Sequence, residues 1–124
     1  MTSVTEPDVF SITTSVRGDV LVVTVTGEVD LTTAPELTRA MHLTSAHTSR
    51  LVADLAGVTF LDSSGLNALV RGSRELEERG IGFRVVAEPD GPVRRLLDLT
   101  QLVDVVHVVD SMEDAVADRG DPAS

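Results

Sequence analysis

Residues 60–69, FLDSSGLNAL, set an aspartate, two serines and a glycine between two apolar segments. Two kinds of chemistry are open to such a group. Ser63 or Ser64 can cap the helix that follows, satisfying an orphan backbone N–H at about 1 kcal/mol. Alternatively, a hydroxyl is presented there to react. Gly65 sharpens the choice, because glycine in a first helical turn costs up to about 1 kcal/mol relative to alanine. Its presence implies close approach by another molecule, or tight packing against a neighbouring strand.

More specific chemistries find less support. Ser63 as a hydrolase nucleophile would draw on Asp98 or Asp104 and on His107. The elbow pattern G-x-S-x-G reads here as Leu61-x-Ser63-x-Gly65, without its first glycine and with no evident oxyanion loop. Asp54, read as the end of a strand, suggests the phospho-acceptor of a receiver domain. That chemistry needs an acidic pair after the first strand and a late lysine, and the chain has no lysine. His42 and His47 are five apart, off the i, i+4 face, and His107 is isolated, so no metal site has ligand spacing. Gly80, Gly82 and Gly91 follow a helix or open a turn and do not build a phosphate cradle. No cofactor is expected.

Composition narrows the partner class. The 124 residues carry a net charge of −10, with ten arginines as the only cationic side chains apart from histidine. A phosphate backbone needs a basic patch, so no direct nucleic-acid contact is expected. Tryptophan and tyrosine are missing, and with them the usual base-stacking platforms. Cysteine is absent, which removes disulfides and thiolate chemistry together. No apolar run approaches a membrane span, and MTSVTEPDVF does not read as a signal peptide. A cytoplasmic location with no membrane contact is the expectation. An apolar fraction of 42% in one domain-sized chain argues for a packed core.

The elements that must position the DSSG group follow from periodicity. Phe10, Ile12, Thr14 and Val16 alternate on one strand face. RGD at 17–19 then turns the chain into VLVVTVT, completing a hairpin. Leu37, Ala40, Met41 and Thr44 fall at helical spacing, with Pro35 in the first turn and Thr32 or Thr33 as cap. RLVADL reads as a short buried strand. Leu66, Leu69, Val70, Ser73 and Leu76 form a second helix ending at Gly80. GFRVVA is a strand, PDGPVRRLLDLTQL a helix, DVVHVV a last strand and SMEDAVAD a final helix. The order β-β-α-β-α-β-α-β-α predicts an α/β single domain, a central mixed sheet with an N-terminal hairpin and about four helices. Residues 1–7 and 118–124 read as flexible ends. DSSG and TGEVD (26–30) both end a strand and open a helix, on the same edge where open α/β sheets place function.

At this point LVADLAGVTFLDSSGLNALV strongly resembles the signature of the anti-sigma factor antagonists, the STAS-domain family. GEVD at 27–30 is similar to the family's GELD, and VRRLLDLTQLVDVVHVVDS to its third-helix ending, with Gln101 where glycine is frequent. The resemblance covers about 8–117 and implies a STAS-like fold and a binding switch, not an enzyme. Unphosphorylated, such a protein binds an anti-sigma factor that is also a serine kinase, and a sigma factor is released. The kinase then phosphorylates the residue after the signature aspartate, here Ser63, and a serine phosphatase restores binding. The resemblance assigns Asp30, Asp62, Ser64, Gly65 and Leu66 to the partner surface, with capping kept as the plain role of Ser64. It leaves oligomeric state open, and a STAS scaffold or sensor that binds without phosphorylation is the alternative. A phosphate on Ser63 is expected to rest over free N–H groups at the helix start and to displace a serine cap.

Overall fold

A computed structural model describes residues 10–117. The segments 1–7 and 118–124, read above as loose ends, lie outside the described residues. Hairpin strands β1 (Ser11–Arg17) and β2 (Val20–Val29) are followed by α1 (Ala34–Met41), β3 (Arg50–Leu61) and α2 (Ser63–Glu78). The chain continues through β4 (Gly82–Val86), α3 (Pro92–Leu99), β5 (Val108–Val109) and α4 (Met112–Ala117). The strands lie in sequence order in one sheet. β1 and β2 are antiparallel and all later neighbours parallel, as the crossover helices require.

Alternation along β2 divides the interior. Leu21, Val23 and Val25 join the main core with Leu37 of α1, Leu69 and Leu76 of α2, and Leu97 of α3. Val20 and Val22 turn to the other face, where Val52, Val86 and Ala115 of α4 meet them. Buried Arg50 ties α4 to that face, its Nη1 donating to the carbonyls of Ala115 at 3.2 Å and Val116 at 3.3 Å. Among the described residues, no helix is long and apolar enough to cross a membrane.

Three elements differ from their sequence reading. β1 is an edge strand whose partly buried apolar side chain is Ile12, with Phe10 just before it also packed on the core, whereas Val16 is 72% exposed. β3 runs on to Leu61 in place of ending near Leu55, and two register shifts insert extra residues opposite β2. Asp54 therefore lies inside the strand, its Oδ1 accepting the Ala56 N–H at 3.1 Å across the first irregularity. The strand expected over DVVHVV shrinks to Val108–Val109, because His107 takes a left-handed φ of 57° just before it.

The end of α3 accounts for Gln101. Leu102 N–H bonds to Leu97 O at 2.9 Å and Gln101 N–H to Asp98 O at 3.1 Å, which is a Schellman closure with Gln101 at its left-handed position, φ 60°. α2 ends in the same way, but with Gly80 in that position at φ 76°. A side chain there crowds the backbone where glycine does not. Gln101→Gly should therefore raise unfolding stability by about 0.5–1 kcal/mol, measured by urea titration. An unchanged or lower midpoint would contradict this account of the helix end.

Candidate functional site

Parallel pairing of β2 with β3 builds the site. Val29 is in register with Leu61, and Asp62 N–H donates to Val29 O at 3.2 Å. Asp30 and Asp62 thus leave neighbouring strands at one level of the carboxyl edge. The two residues inserted into β3 are what keep its end level with that of β2.

Asp62 takes an extended conformation (φ −101°, ψ −170°) and is the cap of α2. Its Oδ1 accepts from Ser64 N at 2.8 Å and Gly65 N at 3.3 Å. An aspartate cap is worth about 1 kcal/mol and also sets negative charge on the positive end of the helix dipole. This corrects the expectation that Ser63 or Ser64 caps the helix. Ser63 is instead the first helical residue and is exposed, and among the described residues its hydroxyl has no hydrogen-bond partner. Ser64 is half-buried and contributes its backbone N–H to the cap. Leu66 is half-buried and packs on the main core.

Gly65 faces inward. A Cβ at this position would stand 2.8 Å from Val29 Cγ1 and 3.2 Å from Leu61 Cγ, and closer still to Leu61 Cδ1. Of the two explanations for a bare residue here, packing against the strands is the one the geometry meets. Gly65 is buried and is not an open landing place for another molecule.

Asp30 does for the β2–α1 loop what Asp62 does for α2. Its Oδ1 accepts from Thr32 N at 2.9 Å and Thr33 N at 3.1 Å. Thr33 Oγ1 accepts the Asp30 N–H and donates to Glu28 O, both at 2.9 Å. Thr33 stands at the N-cap of α1 without a side-chain cap bond, so neither Thr32 nor Thr33 caps the helix as expected. The Asp30 side chain closes the loop before it, and the Asp30 carbonyl accepts from Ala34 N at 2.7 Å. Between these residues Leu31 is 77% exposed. Sequence reading passed over it, although a lone leucine in the polar run GEVDLTT was the available signal.

The other candidates do not join this cluster. Asp98, Asp104 and His107 make no hydrogen bond to Ser63, so no base is assembled on it. His42 Nε2 instead meets Glu75 at 3.1 Å, bridging the end of α1 to α2. Among the described residues no group of histidine and carboxylate side chains has the geometry to hold a metal ion.

Fold and site together define an α/β module whose outstanding surface feature is one unengaged serine hydroxyl at a helix start, flanked by two aspartates that fix their loops. The chain belongs to the STAS domain family, whose model matches residues 11–115. It is 32% identical over 111 residues to the anti-sigma-F factor antagonist RsfB of Mycobacterium tuberculosis, a match covering 89% of each chain. The crystal structure of an anti-sigma factor antagonist from Mycobacterium paratuberculosis superposes with a TM-score of 0.82 at 34% identity, covering 95% of this chain and all of that one. The Bacillus cell fate determinant SpoIIAA, solved in its phosphorylated form, shares the fold with a TM-score of 0.63 at 20% identity, over 90% of this chain and 98% of that one.

Proposed function

We propose that this chain is an anti-sigma factor antagonist switched at Ser63. With the hydroxyl free it binds an anti-sigma factor that is also a serine kinase, and so releases a sigma factor. Transfer of a phosphate to Ser63 ends the complex, and a serine phosphatase renews it. ATP belongs to the partner, and the chain serves as ligand and acceptor. The observation that carries this reading is the exposed Ser63 hydroxyl, unengaged on the first residue of a helix whose cap is held by Asp62. A rigid acceptor presented clear of its own backbone suits in-line phosphoryl transfer, where positioning provides much of the catalysis. The names of the mycobacterial relatives agree with it, and SpoIIAA, which shares the fold, has been solved in a phosphorylated form. Asp30, Asp62 and Leu66 would border the contact, with Leu31 as an exposed apolar anchor.

Incubation with ATP and each histidine-kinase-like anti-sigma ATPase of the same genome, followed by intact-mass analysis, tests the reading. One phosphate should appear and map to Ser63, and Ser63→Ala should take up none while binding that kinase constitutively. Phosphate uptake by Ser63→Ala equal to that of the parent would move the acceptor to another residue, with Ser64 next in line.

A further inference from the structure

The outward face of α2 has a charge pattern that the switch does not explain. Helical geometry turns residues 100° apart, so Ser63, Asn67, Arg71 and Arg74 share one stripe opposite the buried Gly65, Leu69, Gly72, Ser73 and Leu76. All four are exposed, and beyond Arg74 the same face ends in exposed Glu78. From Ser63 to Arg74 the sequence contains two arginines and no carboxylate, in a chain with twenty acidic residues.

Most other arginines of the described residues are engaged. Arg39 pairs with Glu36 and Arg94 with Asp98 and Asp110, while Arg50 and Arg84 are buried. Arg79 donates to Thr44 and Arg95 to the Asp90 carbonyl. Arg71 and Arg74 make no hydrogen bond or ion pair among the described residues, although Glu77 and Glu78 lie within one turn of Arg74. Arg17 is likewise unengaged, but it sits at the hairpin end of β1, where the chain turns into the start of β2, at the sheet end opposite Ser63.

We propose that this stripe is a docking track for an acidic surface on the partner protein, with Arg71 and Arg74 as its charge contacts. The inference rests on the reading that a kinase engages Ser63. A rise of 1.5 Å per residue puts Arg71 about 12 Å and Arg74 about 16 Å from the acceptor. The partner should therefore carry carboxylates that far from its phosphoryl-transfer centre. The track gives a strongly acidic chain one local region that attracts an acidic kinase, orienting Ser63 toward its ATP. It also separates recognition from chemistry, because the guanidinium groups lie beyond reach of the phosphate.

The test uses the kinase that phosphorylates the full chain in the mass experiment. Arg71→Gln/Arg74→Gln should raise its KM for this substrate about tenfold with kcat changed less than about twofold, and Arg71→Glu/Arg74→Glu should raise KM about a hundredfold. Raising salt from about 0.05 M to about 0.5 M should weaken binding of the parent several-fold and leave the Gln variant nearly flat. Arg17→Gln removes the same charge at the far end and should change neither. Both α2 variants should keep the parental circular dichroism and melting temperature. Equal KM and equal salt dependence in parent and Gln variant would overturn the docking track alone. If no kinase binds or phosphorylates the parent, the reading of Ser63 falls, and the track with it.

Discussion

Phosphorylation of Ser63 is expected to lower partner affinity by at least about a hundredfold while moving the melting temperature by only a few degrees. The small effect on folding follows from the cap. Because Asp62 Oδ1 already holds the N–H groups of Ser64 and Gly65, a phosphate on Ser63 displaces no serine cap, and those groups are not free to receive it. What it adds is roughly −1.5 to −2 charges close to Asp62 and Asp30. At an exposed position a unit pair costs about 1 kcal/mol at ~4 Å in water and less in proportion to distance, before screening by salt. The helix dipole returns about 0.3–1 kcal/mol. The sum is a modest destabilisation, small beside the total stability of a domain.

Binding weighs the same phosphate differently. A partner surface that fits a small neutral hydroxyl between Asp30 and Asp62 must desolvate a dianion that already stands beside two carboxylates. That costs several kcal/mol unless cations are supplied, and among the described residues no arginine pairs with Asp30 or Asp62. Calorimetric titration and thermal melts of both forms compare the two effects directly. Loss of helical circular dichroism, or a melting point lowered by more than about 10 °C, would mean that the switch disorders α2 and that charge is secondary.

Parts of this arrangement were legible in the sequence for definite physical reasons. α2 could be read because Leu69 and Leu76 keep helical spacing and Gly80 stops the helix at a left-handed position. The far half of β3 could not, because extra residues at its irregularities break the two-residue period on which a strand is recognised. DVVHVV alternates like a strand, yet burial of Val106 and the turn at His107 use most of it before pairing begins. At the site, DSSG announces a helix start, but Asp and Ser are both good caps, so composition alone left the capping residue open. The backbone of Asp62 decides it. Gly65 was left between two readings, partner approach and strand packing, for a different reason, since its crowding neighbour Val29 comes from a strand distant in sequence.

Gly65→Ala should destabilise the domain by about 1–2 kcal/mol, the reverse of what helix propensity alone would give. Propensity favours alanine in a helix by up to about 1 kcal/mol. Against that stands a Cβ 2.8 Å from Val29 Cγ1 and 3.2 Å from Leu61 Cγ. Leu61 can swing its terminal methyl aside, but Val29 is β-branched, fully buried and fixed on a central strand, with little rotamer freedom. The helix start must therefore lift by some tenths of an ångström. Overpacking of this kind costs typically 1–3 kcal/mol, more than the propensity gain. At about 5 °C per kcal/mol the melting point should fall by roughly 5–10 °C. The lift also acts on the turn that presents Ser63, so phosphoryl transfer should slow even at temperatures where the variant is folded. Removing the obstruction gives the decisive comparison. Val29→Ala alone should destabilise by leaving a cavity, yet combined with Gly65→Ala it provides the space the new methyl needs. The double variant should then be more stable than the sum of the singles by at least about 1 kcal/mol. A Gly65→Ala protein that melts at or above the parent, with additive behaviour in the cycle, would show that the helix start yields freely and that contact with the strand ends does not dictate glycine at this position.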